Sequence, residues 1–160
     1  MYKINYTAKS AYSYDPAHKG APYIVNGRPC NYGNLCECIV SEWSGSGFGY
    51  DTKAVPFDAG SDIECRNASV KSSGASLACL YGTDKDAIIN EYFSRVHSTE
   101  WIYVAELDGE WLLYIMNADE FKSFLTEWAG LTKESDGKRF KVRFKKTSSK
   151  MLSWLDERVG

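Results

Sequence analysis

Apolar residues at four-residue spacing predict a helix in the first third of the chain. Leu35, Ile39 and Trp43 fall on one side of this helix, because side chains four positions apart lie one above the other. Asn34 is the expected N-cap, since an asparagine side chain there accepts a hydrogen bond from a backbone N–H of the first turn. The helix is expected to end before residues 44–47, whose Ser-Gly-Ser-Gly sequence favours a loop.

The same periodicity predicts further helices in the second half of the chain. Each has apolar residues along one side and polar residues along the other, which is typical of a helix packed on a core. Asn117 is the expected cap of the middle one. The expected ranges are 85–97, 119–128 and 149–158.

Continuous and alternating apolar runs predict the strands of a sheet. Residues 101–105 and 111–116 are almost entirely apolar, which indicates strands covered on both faces, and Asp108-Gly109 between them is typical of a hairpin turn. Residues 139–145 alternate between apolar and basic side chains, as in a strand with one buried face. A further strand is expected over residues 75–81.

Residues 1–32 lack such a pattern and are rich in Tyr, Gly, Pro, Lys and Asn. We expect an irregular N-terminal arm there, and its interleaved basic and aromatic residues suit either a nucleic-acid backbone or packing on the core. Residues 33–160 are expected to form one domain, because a chain of 160 residues suffices for a single sizeable core. The mixture of strands and helices predicts an α+β fold in which helices flank a mixed central sheet.

The composition is that of an ordinary globular protein, with 44% hydrophobic and 25% charged residues. No apolar run approaches the length that crosses a membrane, and the first residues lack the apolar stretch of a secretory signal. We therefore expect a cytoplasmic protein without a membrane partner.

Five cysteines are present, at positions 30, 36, 38, 65 and 79. An odd number in a chain without an export signal favours free thiols over a disulfide framework. Cys30, Cys36 and Cys38 with His18 are a candidate zinc set, but their spacing does not match a zinc knuckle. Cys36 and Cys38 also lie on different sides of the predicted helix, so a zinc site is disfavoured.

The charge is unevenly distributed, although the formal net charge is only −2. Residues 138–150 contain seven basic and no acidic residues, which leaves about −9 on the rest of the chain. Such asymmetry indicates a polyanionic partner whose phosphates are bound without sequence choice. The alternative is an exposed edge strand whose lysines prevent aggregation. The residues expected to contact nucleic acid are Arg139, Lys141, Arg143, Lys145 and Lys146.

Residues 61–73 predict a hairpin of two short strands joined at Arg66-Asn67. Side chains alternate along each strand, so Ile63 and Val70 face the core together. An ordinary charged surface hairpin has the same pattern and is the alternative. The other face gathers two carboxylates, a hydroxyl and an ammonium group as cross-strand neighbours: Asp62 opposite Lys71, and Glu64 opposite Ser69.

This patch is suited to metal-assisted hydrolysis of a phosphodiester. Carboxylates hold one or two Mg²⁺ ions, which bridge the scissile phosphate and acidify a water molecule. Asp62 and Glu64 are the candidate ligands, and Glu37 on the first predicted helix is a third. Lys71 would orient the water and stabilise charge on phosphorus, while Ser69 would hydrogen-bond a metal-bound water.

Asp62, six intervening residues and then Ser69-Val70-Lys71 resemble the Asp…Glu-x-Lys core of the PD-(D/E)xK nucleases, the restriction-endonuclease-like superfamily. The spacing is most similar to that of MutH-like mismatch-repair nicking enzymes and their restriction-enzyme relatives. The order of a helix with Glu37, the hairpin, a strand and a helix also fits that superfamily. The resemblance implies that Asp62 is the central metal ligand, Lys71 the catalytic lysine and Glu37 the helix-borne acid.

One position departs from the pattern, because Ser69 stands where the superfamily has its second carboxylate. Glu64, the expected cross-strand neighbour of Ser69, would supply a carboxylate in nearly the same space. We therefore expect a Mg²⁺-dependent DNA endonuclease, with Mn²⁺ as a substitute, of a restriction, repair or mobile-element system. Many members of the superfamily act as dimers when they cut both strands, so a homodimer is also an expectation.

Two alternatives to an enzyme stay open. The first is a catalytically inactive protein on the same fold, which binds nucleic acid or a protein partner. The second is an interaction module in which the hairpin is only surface and the aromatic N-terminal arm binds another protein.

Overall fold

A four-stranded mixed sheet lies at the centre of the molecule and carries helices on both faces. The computed structural model describes residues 1–9, 11–25, 27–45, 68–77 and 80–160. The expected α+β fold with a mixed sheet and flanking helices is confirmed. The strands are β1 (Tyr2–Tyr6), β2 (Tyr12–Tyr14), β3 (Tyr23–Val25), β4 (Arg28–Cys30), β5 (Ala68–Ser72), β6 (Glu100–Leu107), β7 (Glu110–Met116), β8 (Ala129–Lys133) and β9 (Phe140–Phe144). The helices are α1 (Tyr32–Trp43), α2 (Lys85–Arg95), α3 (Ala118–Trp128) and α4 (Ser149–Asp156).

The strands of the central sheet follow the order β1-β7-β6-β5. β1 is antiparallel to β7 and β7 to β6, whereas β6 is parallel to β5. A parallel pair cannot be joined by a tight turn, and α2 lies in the connection between β5 and β6.

The β6–β7 hairpin forms the middle of the sheet and agrees with its prediction. Residues 101–105 and 111–116 are buried, and their side chains contribute to the cores on both faces. Asp108 and Gly109 have φ angles of 52° and 81°, the pair of positive values that a two-residue type I′ turn requires.

Two hydrophobic cores lie on opposite faces of this sheet. Ile102 and Val104 of β6 pack on the side of α1, while Trp101 and Tyr103 pack on the side of α2, α3 and α4. The second core is rich in aromatic rings, and Trp101 stacks on Phe121 with ring centroids 5.5 Å apart. Alternation along one strand thus supplies both cores.

The first 32 residues are not the irregular arm that was expected. β1 is an edge strand of the central sheet, where Tyr2 lies opposite Ile115 and Tyr6 opposite Trp111. β2, β3 and β4 form a separate antiparallel sheet. Three-residue strands contain too few alternations to give a pattern. The partner of β1 is β7, which lies far from it in the sequence, so no local pattern indicated the pairing.

Helix α1 begins earlier than predicted. Its N-cap is Asn31 and not Asn34, and Asn31 Oδ1 accepts a hydrogen bond from the backbone N–H of Asn34 at 2.8 Å. The helix therefore includes Tyr32 and Gly33, neither of which adds to the apolar spacing used for the prediction. The cap of α3 is Asn117 as predicted, within a capping box completed by Glu120.

The second half of the chain departs from its prediction at two strands. β8 was not predicted, and all five of its residues pair with β9. The strand expected over residues 75–81 is reduced, in the part of it that the structure describes, to one bridge between Ser76 and Arg143. A hydrogen bond from Leu77 N to Val142 O keeps this segment beside β9 without a regular ladder.

The predicted hairpin is described only in its second half. Its second strand is β5, as expected, and residues 61–67 with the first strand and the turn lie outside the described residues. Of the helices that the structure describes, none is long and apolar enough to span a bilayer.

Candidate functional site around Lys71

Lys71, the last residue but one of β5, extends towards the core that α2, α3 and α4 share. Ala68 and Val70 of the same strand belong to the core on the α1 side, so alternation directs Lys71 to the opposite face. There its Nζ lies 5.9 Å from the ring centroid of Tyr92, and its side chain is half-buried. An ammonium group held against an aromatic face in a partly dry site interacts more strongly with an anion than one in water.

Ser69 lies on the same face of the sheet as Lys71 but is less exposed. Its side chain is buried, and its Oγ lies 2.7 Å from Oγ of Ser98, a residue that follows α2. Close by, the Trp101 Nε1–H donates to the hydroxyl of Tyr92 at 2.8 Å. The Ser69 hydroxyl thus takes part in a buried hydrogen bond within the protein, which is a structural role.

Glu37 belongs to α1 and therefore to the other face of the sheet from the Lys71 side chain. Burial raises the pKa of the Cys30 thiol on this side of the sheet, and the Glu37 carboxylate raises it further. The structure thus separates the helix-borne acid from the face that carries Ser69 and Lys71. Helix periodicity predicts which residues share a side of α1, but not which face of the sheet receives it.

Asp62 and Glu64 lie outside the described residues, so their distance from Lys71 is not part of the observed geometry. Within the described ranges, no three His, Cys, Asp or Glu side chains are grouped closely enough to hold a metal ion. Cys30, Cys36 and Cys38 are buried free thiols. Burial raises the pKa of the Cys38 thiol to about 12.

The basic strand β9 has the alternation that was predicted. Val142 and Phe144 are buried, and Lys141 and Arg143 project from the other side. These two basic residues share one acid, since Glu134 Oε1 lies 3.2 Å from Lys141 Nζ and 3.8 Å from Arg143 Nη2. Their charge is therefore partly neutralised within the protein.

The basic residues that flank β9 differ in how far their charge is neutralised within the protein. Arg139 forms an ion pair with Asp136 and lies over the ring of Tyr81 at 4.4 Å. Lys145 and Lys146 are exposed, and neither side chain forms an ion pair with another described residue. Of the five residues expected to contact nucleic acid, these two offer the least compensated charge.

A cleft of about 740 Å³ opens beside the end of β5, where the sequence pattern indicated nothing. Its lining includes Ser73, Thr147, Glu106 and Asp156. Ser73 Oγ accepts a hydrogen bond from Thr147 N, and Tyr103 and Thr147 share one between their hydroxyls at 2.6 Å. These hydroxyls come from segments distant in sequence, so no local motif could have revealed them.

Comparison with models of known protein families finds no match for this chain. Curated proteins and solved structures likewise contain no significant match. The class that the observed architecture defines is thus an α+β protein with a four-stranded mixed sheet between two helical layers.

Proposed function

We propose that this protein is a Mg²⁺-dependent DNA endonuclease with a restriction-endonuclease-like fold, for which Mn²⁺ can replace Mg²⁺. The observation that carries the proposal is the position of Lys71, half-buried near the end of β5 with its ammonium group against Tyr92. The chain order of α1, residues 61–67, β5 and α2 also follows the order on which the family resemblance rests.

The proposed donor set for the cation is Asp62 and Glu64. Carboxylate oxygens are the ligands that Mg²⁺ prefers, and a bound ion supplies Lewis acidity to a phosphate and lowers the pKa of a water molecule. Glu37 is left out of this set, because α1 lies on the face opposite to the Lys71 side chain. Ser69 is left out as well, since its hydroxyl is engaged with Ser98.

Lys71 has the role of positioning and stabilising charge in this proposal. Its ammonium group is a donor for a non-bridging phosphate oxygen and for the attacking water. Because the side chain is half-buried beside an aromatic ring, the positive charge is less screened than that of an exposed lysine.

A second candidate is a catalytically inactive nucleic-acid-binding protein on the same fold. The buried Ser69–Ser98 hydrogen bond favours it, because the position of the second family carboxylate is occupied by a side chain with a structural partner. This candidate retains the exposed Lys145 and Lys146 and needs no cation.

Cleavage of supercoiled plasmid in Mg²⁺ or Mn²⁺ tests the proposal. The Lys71→Ala variant is expected to be at least about 100-fold slower than the wild type, which is the usual cost of removing one preorganised electrostatic group. Lys138→Ala is the matched control, because Lys138 is exposed in the turn before β9 and its loss removes the same charge.

Two outcomes would contradict the endonuclease. One is a wild-type protein that leaves the plasmid intact with either cation. The other is equal cleavage by the Lys71→Ala variant and the wild type, which would assign the activity to another site or to a contaminant. Binding of DNA without cleavage would favour the second candidate.

A further inference from the structure

A recess of about 400 Å³ lies where the end of α3 meets α4, on the outer surface of the aromatic core. Two indole rings line it, Trp128 and Trp154, which meet edge to face with centroids 6.5 Å apart. The Trp154 ring stacks on the ring of Phe124. The guanidinium group of Arg158 also lies over the Trp154 ring, 3.5 Å from its centroid. The walls of the recess are thus rigid aromatic groups.

The rim of this recess is basic. Lys150 lines it, and Lys145 is fixed beside it because its backbone N–H donates to Trp128 O at 2.9 Å. Lys146 follows directly in the chain. All three lysine side chains are exposed, and no carboxylate of the described residues pairs with them. The acid at the rim, Glu157, lies 3.7 Å from Arg158 and is compensated by it.

One donor in the recess wall lacks a partner. Trp128 Nε1 is buried and has no hydrogen-bond acceptor in the described part of the chain. A buried indole N–H without an acceptor is uncommon, and a molecule in the recess reaches this one only after a local shift of the ring, because the nitrogen has almost no accessible surface.

We propose that this recess, bounded by Trp128, Trp154, Lys145, Lys146 and Lys150, binds single-stranded DNA. An unpaired base would lie against the part of the Trp128 ring that lines the recess, and the three lysines would neutralise the phosphates on either side of it. Bases in a duplex are stacked and paired, so they cannot enter an aromatic recess without being extruded. The choice of DNA rests on the proposed endonuclease function, to which the recess would add a site for the unpaired strand of a partly single-stranded or locally opened substrate.

Charge decides between this recess and the other surfaces of the molecule. The larger cleft beside the end of β5 is lined by the acidic residues Glu106 and Asp156. None of its described lining residues is a lysine or an arginine. The basic side chains of β9, Lys141 and Arg143, both lie close to the Glu134 carboxylate. The recess therefore combines aromatic surface with uncompensated positive charge, the two features that single-stranded nucleic acid requires.

Fluorescence anisotropy of a labelled oligothymidine of about 12 nucleotides tests the proposal. The titrations are made in EDTA, so that binding is measured without cleavage. The variant with both Lys145→Ala and Lys146→Ala is expected to bind about tenfold more weakly. Its plot of the logarithm of the binding constant against the logarithm of the salt concentration is expected to be shallower by roughly 1.4. The matched control combines Lys133→Ala and Lys138→Ala, which removes two exposed charges from the opposite end of the β8–β9 hairpin and is expected to leave the affinity within twofold.

Indole fluorescence gives a second readout. Stacking of a base is expected to quench the wild-type emission, and the Trp128→Phe variant, which retains an aromatic ring, is expected to lose part of that quenching. The proposal is overturned if the wild type does not bind the oligonucleotide, or if the two double-lysine variants weaken binding equally. It is also overturned if duplex DNA displaces the oligonucleotide better than an unlabelled single strand does, or if Trp128→Phe leaves the quenching unchanged.

The Lys71→Ala variant separates this inference from the endonuclease. It is expected to keep the quenching of indole emission by the oligonucleotide while failing to cut plasmid. A wild type that binds at the recess but never cuts would remove the endonuclease and leave the recess as a binding site.

Discussion

Ser69 and Lys71 project from the same face of one strand into different surroundings. Ser69 is buried against Ser98, whereas Lys71 is half-exposed beside Tyr92. A hydroxyl with a buried partner stabilises the fold, whereas an ammonium group at the edge of a core interacts with charge more strongly than one in bulk water. We therefore expect substitutions at the two positions to affect different properties.

The Ser69→Ala variant is expected to lose about 1–3 kcal/mol of stability, because it leaves the buried hydroxyl of Ser98 with one partner fewer. Ser98→Ala is expected to cost a similar amount, and the double variant less than the sum of the two. Urea denaturation of the four proteins measures this. Cleavage by Ser69→Ala is expected to stay within a few-fold of the wild type, and its abolition in a folded variant would return Ser69 to the catalytic residues.

Asp156 ties the end of α4 to the N-terminal strand. Its Oδ1 accepts hydrogen bonds from Lys3 Nζ at 2.9 Å and from the Tyr114 hydroxyl at 2.8 Å. Partial burial alone would raise the pKa of Asp156, but the bonds from Lys3 and Tyr114 outweigh it and lower that pKa below the ordinary 3.8.

A lowered carboxyl pKa stabilises the fold at neutral pH and loses that contribution in acid. The wild type is expected to melt at a higher temperature than Asp156→Asn at pH 7, and the difference is expected to vanish as the pH falls below about 3.8. Thermal melts of both proteins between pH 2.5 and 7 provide the comparison (roughly the range over which aspartate titrates). A difference that grows in acid would contradict the role given to Asp156.

At the scale of elements, the β6–β7 hairpin shows how local sequence determines structure. Its strands are apolar throughout, and the Asp108-Gly109 turn has the positive φ angles that the hairpin requires. A β-carbon added at Gly109 would meet no atom within 4 Å, so any cost of adding one comes from the backbone conformation.

The Gly109→Ala variant is therefore expected to lose about 1 kcal/mol of stability. Gly130→Ala in β8 is the matched control, since its added methyl also meets open space but its φ is not in the left-handed region. Gly130→Ala is expected to be neutral or slightly stabilising. Equal losses in the two variants, measured by urea denaturation, would show that the turn conformation is not the cause.

Elements with strong local patterns were predicted, and elements without them were not. The apolar runs of β6 and β7, the amphipathic α3 and the alternating β9 agree with the structure. β8 escaped prediction because three of its five side chains are exposed and its partner β9 lies beyond a turn. The three-residue strands β2, β3 and β4 are too short to show a period.

At the scale of the whole molecule, long-range pairing decides what local patterns cannot. β1 completes one edge of the sheet by pairing with β7, and the N-terminal amine forms an ion pair with Glu120 of α3. The same limit applies to the candidate site. The alternation of side chains along β5 correctly placed Ser69 and Lys71 on one face of the sheet. Nothing near Glu37 in the sequence indicated that α1 covers the opposite face.

We propose that Asp62 and Glu64 hold a divalent cation beside Lys71. Calorimetric titration with Mn²⁺ measures that binding without any cleavage step. The wild type and Lys71→Ala are predicted to show saturable binding, whereas Asp62→Asn is predicted to lose it and Asp119→Asn, which changes an exposed acid on α3, to keep it. A wild type that binds no Mn²⁺, or an Asp62→Asn variant that binds it equally well, would contradict the account.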